Sequence, residues 1–108
     1  MTEPVSEIAR SAAARLSDSH GASLVADVEA ELEGSPRAFI DPISIASLIV
    51  GIASLAWNIY TVLRRSQASR AELAAAVRER WAQDHEVDAT ASAVIDVVAE
   101  ETVKRGER

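Results

Sequence analysis

His20 and His85 are the nearest this sequence comes to chemistry. Each stands just before a loop, with Asp18 close to the first and Asp84, Glu86 and Asp88 around the second. Imidazole and carboxylate together can hold a divalent cation or move a proton. A cation at a helix end is the simpler account, because the last carbonyls carry the negative end of the helix dipole. Ser, His and Asp all occur, but no Gly-x-Ser-x-Gly turn or other nucleophile signature holds them, and no glycine-rich phosphate loop is present. The chain has no Cys, which excludes disulfides and thiolate chemistry. The expectation is no catalytic residue, no metal, no cofactor and no enzyme activity.

The elements that carry the two histidines resemble each other. Glu7–His20 (EIARSAAARLSDSH) aligns with Glu72–His85 (ELAAAVRERWAQDH), with Glu7/Glu72, Ala9/Ala74, Arg15/Arg80 and His20/His85 identical. After a loop that differs by four residues, Ala22–Glu31 aligns with Ala91–Glu100, and seven of those ten positions are identical. Each copy reads as a helix–loop–helix. The first has a helix from about Glu3 to Ser19 with Val5, Ile8, Ala12 and Leu16 on one side, then a stop at His20-Gly21. Its second helix, about Ser23 to Glu33, turns Leu24, Val25, Val28 and Leu32 inward and ends at Gly34-Ser35-Pro36. In the second copy Ser69 and Glu72 have capping-box spacing, and Leu73, Val77 and Trp81 form the apolar side of a helix reaching about Asp84. The last helix, about Ala89 to Lys104, follows a cap at Asp88 or Thr90, places Val94, Val97, Val98 and Val103 inward, and stops at Gly106.

Between the copies lies Pro42–Leu63, which runs 22 residues without a charge. At about 1.5 Å per residue such a helix crosses the hydrocarbon of a bilayer. Phe39, Trp57 and Tyr60 lie near its charged ends, and Arg64 and Arg65 follow it, the arrangement of a membrane interface. Ser44, Ser47, Gly51, Ser54, Asn58 and Thr61 are spaced 3, 4, 3, 4, 3, which draws one line along a helix. In lipid such a line lets helices approach and hydrogen-bond. The alternative is a buried soluble helix with this line as its solvent face.

The 108 residues carry a net charge of −6, which argues against nucleic acid as a partner. Residues 1–41 hold eight acids against three Arg, whereas the bases cluster after the apolar stretch, so a spanning chain would keep its C-terminal part cytoplasmic. One helix–loop–helix is too small to be stable alone. A single crossing would separate the two copies and so requires pairing between chains; alternatively the central segment does not cross.

From Ile52 through Tyr60 (IASLAWNIY), followed by Leu63-Arg64-Arg65 and the Val- and acid-rich tail Val94–Glu101, the sequence resembles small actinobacterial proteins of conflict or defence gene neighbourhoods. The likeness covers about Pro42 to Gly106 and implies a membrane-linked accessory component without catalysis of its own.

The expected architecture is therefore all-α, one long central apolar and transmembrane helix flanked by two similar helix–loop–helix modules, divided at 1–35, 36–65 and 66–108. The expected function is a single-pass cell-membrane anchor or adaptor for protein partners, homo-oligomeric through the Ser/Gly/Asn line. The rivals are a membrane-permeabilising effector whose line borders a pore, and a cytoplasmic homo-oligomeric bundle that buries the central helix.

Overall fold

The apolar spacing that begins at Val5 becomes a helix with one closed side. Val5, Ile8, Ala12 and Leu16 are all buried along it, and Ala9 and Ala13 widen the strip. The computed structural model describes residues 3–33, 45–63 and 69–106, and they form five helices. These are α1 (Glu3–His20), α2 (Ser23–Leu32), α3 (Ile45–Leu63), α4 (Arg70–Ala82) and α5 (Ala89–Gly106), so the described chain is all-α.

Local chemistry accounts for the turns. Gly21 follows α1 with φ +102°, a left-handed conformation that side chains disfavour, and its N–H donates to Ser17 O at 2.9 Å. Ser69 caps α4: its hydroxyl accepts from the Glu72 amide, and the Glu72 carboxylate accepts from the Ser69 amide. Asp88 Oδ1 accepts from the Ala91 amide at 2.8 Å and starts α5.

α3 packs against all four other helices. Around it the others form an arc in the order α2, α1, α5, α4, each packed on the next. Among the described residues, α2 and α4, at the two ends of the arc, make at most a slight contact with each other. Ala46, Ile49, Val50, Ile52, Ala53 and Ala56 of α3 point into the arc and are buried. The core is aliphatic throughout, with Ile8, Ile49, Ile52, Leu73 and Ile95 as its largest fully enclosed side chains. Thr102 is enclosed too, its hydroxyl donating to Val98 O at 2.7 Å within its own helix.

The two sequence copies do not bury equivalent faces throughout. In the first helix of each they agree: Ile8/Leu73, Ala9/Ala74 and Ala12/Val77 are all buried. In the second helix they diverge. Leu24 and Val28 are buried in α2, but their counterparts Ala93 and Val97 are exposed and half-buried. Val25, expected to point inward, is 36% exposed, whereas its counterpart Val94 is fully enclosed. The cause is the number of neighbours. α5 lies between α1, α3 and α4 and needs a broad apolar face, while α2 packs closely on α1 and α3 alone.

Candidate interaction surface along the central helix

The residues of the small and polar line are brought onto one side of α3, as their spacing requires, and that side lies opposite the buried one. Asn58 and Thr61 are exposed, and Ser47, Gly51 and Ser54 are half-buried. Thr61 Oγ1 donates to Asn58 O at 2.8 Å, which satisfies its hydroxyl inside the helix. Val62, 76% exposed, adds an aliphatic side chain at the same end of α3. α3 thus leaves the C-terminal end of this side, at Asn58, Thr61 and Val62, uncovered by the described helices. Ser44 of the line, and Phe39, Arg64 and Arg65 of the expected membrane interface, lie outside the described residues.

Gly51 has a specific neighbour. A Cβ at this position would meet the Trp81 ring at 3.4 Å, so the indole of α4 lies over the helix where a side chain is missing. His85 stacks on Trp81 with ring centroids 4.1 Å apart. The pair borders a groove of about 430 Å³ with Ile45, Leu48 and Asp88. Trp81, expected in the core, is half-buried, with its ring spent on Gly51 and His85. The 3.4 Å contact is ordinary van der Waals distance, so Gly51→Ala should be tolerated. We expect it to leave stability unchanged or raise it by up to about 1 kcal/mol through helix propensity, read by urea unfolding. A residue placed there for direct backbone contact between helices would give a loss instead.

Trp57 and Tyr60, expected at a membrane boundary, are half-buried and stacked on each other with centroids 5.8 Å apart. The Tyr60 ring occupies the space beside Gly106, so close that a Cβ on Gly106 would overlap it. Gly106 was expected as a stop; here it is the last described residue of α5, helical, and its bare Cα receives the tyrosine. His20 ends α1. Among the described residues, no three His, Asp or Glu side chains are grouped so as to hold a metal ion.

The feature that sequence reading missed is the joint between α1 and α5. Arg15 of α1 donates to Glu100 at 3.1 Å and to Glu101 at 2.9 Å. Arg70 of α4 reaches Glu100 at 2.9 Å, and Lys104 stands 3.5 Å from Glu100 and 3.6 Å from Glu101. Glu7 pairs with Arg105 further along, so α1 and α5 run antiparallel. Glu101 is only 13% exposed and Glu100 25%. Within each half a further pair binds consecutive helices, Arg10 to Glu29 and Arg78 to Asp96. The only hint of the joint in sequence was an acid pair inside an apolar helix, since its partners lie some 86 positions away.

Partial burial pushes the Glu100 carboxyl up, but the charge and hydrogen bond of Arg15, with Lys104, outweigh it and hold the group below the usual carboxylate range. A carboxyl whose folded value is depressed stabilises the fold above its unfolded value and loses that contribution as pH falls through the folded one. We therefore expect thermal stability to decline as the pH drops below about 4.3, and Glu100→Gln to flatten that decline. Circular-dichroism melts across the acid range read both.

No protein-family model matches the chain, and comparison with curated proteins and with solved structures finds none similar to it.

Proposed function

We propose that this chain is a non-catalytic helical adaptor that works as one bundle built on α3, and that it meets protein partners, including further copies of itself, as that bundle. The observation that carries this reading is the α1–α5 joint. It brings the first and last helices together while α3 touches all the others. Two modules on opposite faces of a bilayer could not make that contact. The side of α3 bearing Ser54, Asn58, Thr61 and Val62 is the face on which self-association would occur. The resemblance to actinobacterial defence-neighbourhood proteins fits an accessory role of this kind.

A second reading has its own support. α3 is 19 residues long, carries no charge and has a mean hydropathy of 1.7, enough by length and composition to cross a membrane. In that reading the chain is a single-pass anchor with its C-terminal part in the cytoplasm.

Fractionation separates the two. Recovery of the full chain in the soluble fraction as a defined species without detergent supports the bundle. Retention in a carbonate-washed membrane pellet, released only by detergent, supports the anchor and removes the bundle reading. Asn58→Leu should change the oligomer size seen by light scattering if the outer side of α3 mediates self-association; an unchanged size excludes that face.

A further inference from the structure

Two properties of α3 pull in different directions. It is the hub of the bundle, and it is also the one described helix apolar and long enough to span a bilayer. Among the described residues α2 and α4 make at most a slight contact around it, and Asn58, Thr61 and Val62 at its C-terminal end are exposed. The arc's middle contact, α1 on α5, is where the two halves of the chain meet. α2 precedes α3 and α4 follows it, so parting α1 from α5 would leave each half attached to its own end of α3.

That middle contact is knitted by charge. The Glu100 and Glu101 carboxylates face Arg15 from α1, Arg70 from α4, and Lys104 on their own helix, with Glu7–Arg105 beside them. α3 contributes no charged side chain to the joint and carries none. Isolated surface pairs contribute little, but this network serves two partly covered carboxylates with three cations. Neutralising the carboxylates would leave Arg15, Arg70 and Lys104 close together without counter-charge.

Resting on the bundle reading, we infer that the α1–α5 joint is an acid-released clasp, and that its opening transfers α3 from the bundle into a lipid bilayer. The partner is the hydrocarbon of a membrane. The helix can enter it because its backbone hydrogen bonds are internal and its side chains uncharged. Low bulk pH supplies the trigger.

The two tryptophans provide the test, since Trp57 lies on α3 and Trp81 on α4. Full-length Trp81→Phe and Trp57→Phe variants each leave one reporter. They are mixed with phosphatidylcholine–phosphatidylglycerol vesicles whose acyl chains are brominated. At about pH 2.5, well below the usual carboxylate values, the Trp57 reporter should be quenched several-fold more than the Trp81 reporter, with helicity retained. At neutral pH neither should be quenched. The Glu100→Gln/Glu101→Gln variant, built on Trp81→Phe, should show the Trp57 quenching already at neutral pH. Equal quenching of both reporters would mean acid-unfolded adsorption and would overturn the inference. So would a soluble bundle that leaves Trp57 unquenched in acid, although the bundle reading would then stand. A chain that never leaves the membrane fraction at neutral pH would remove both.

Discussion

Ile52→Ala should lower the unfolding free energy by about 3 kcal/mol, within the roughly 2–5 kcal/mol that large-to-small changes cost in closed cores. Ile52 is fully enclosed and lies on the side of α3 that faces into the arc. Removing its outer carbons loses their transfer free energy and leaves a cavity that rigid neighbours fill only in part. For a domain whose total stability is on the order of 5–15 kcal/mol, such a loss is severe. Val62→Ala, on the same helix, is the matched control. Val62 is 76% exposed, and its truncation should change stability by less than about 0.5 kcal/mol. Urea unfolding followed by circular dichroism compares the two. The contrast follows from α3 having an inside and an outside. A helix surrounded by lipid would make both residues nearly equivalent, and equal costs would contradict the bundle.

Gly106→Val should cost about 1–3 kcal/mol, the range for forcing extra atoms into a packed site. Its side chain would have to occupy the volume of the Tyr60 ring. Tyr60 cannot swing away freely, because it stacks on Trp57 and packs against the core. Better helix propensity of Val than Gly offsets only a few tenths of a kcal/mol. The effect should depend on its partner. In a Tyr60→Ala background the ring is gone, so Gly106→Val should cost little, and the double-mutant cycle should show a coupling of about 1 kcal/mol or more. Additive costs would mean that Gly106 matters for the helix end alone.

These two sites also show what was readable in the sequence. α1 was legible almost to the residue, because a helix with one buried side writes its burial into its own spacing: Val5, Ile8, Ala12 and Leu16 are all enclosed. The Ser69 capping box was legible for the same reason, being chemistry over three positions, and of the two caps open for α5, Asp88 or Thr90, it is Asp88 that accepts from the Ala91 amide. α3 was legible as an apolar helix, and its small-residue line does share one side, but nothing local says whether lipid or four helices cover the other. Val25 was misplaced because its spacing fits a broad apolar face, and α2 has too few neighbours to bury one. Ile95 was overlooked for the converse reason, its aligned position in the first copy being Ala26, exposed on α2. The joint of Arg15 with Glu100 and Glu101, and the fit of Tyr60 against Gly106, depend on how distant segments dock, and no period reports that.

The central claim is that α1 and α5 lie side by side around α3 in one chain. The sequence has no Cys, so spin labels can be placed at Ala14→Cys on α1 and Ala93→Cys on α5, both exposed positions. Pulsed electron–electron resonance on the full chain without detergent, diluted with unlabelled protein, then measures their separation. A single narrow distribution well inside the 39 Å long dimension of the bundle is the expected result. Distances beyond that dimension, as when a hydrocarbon layer of about 30 Å separates the two halves, would contradict it.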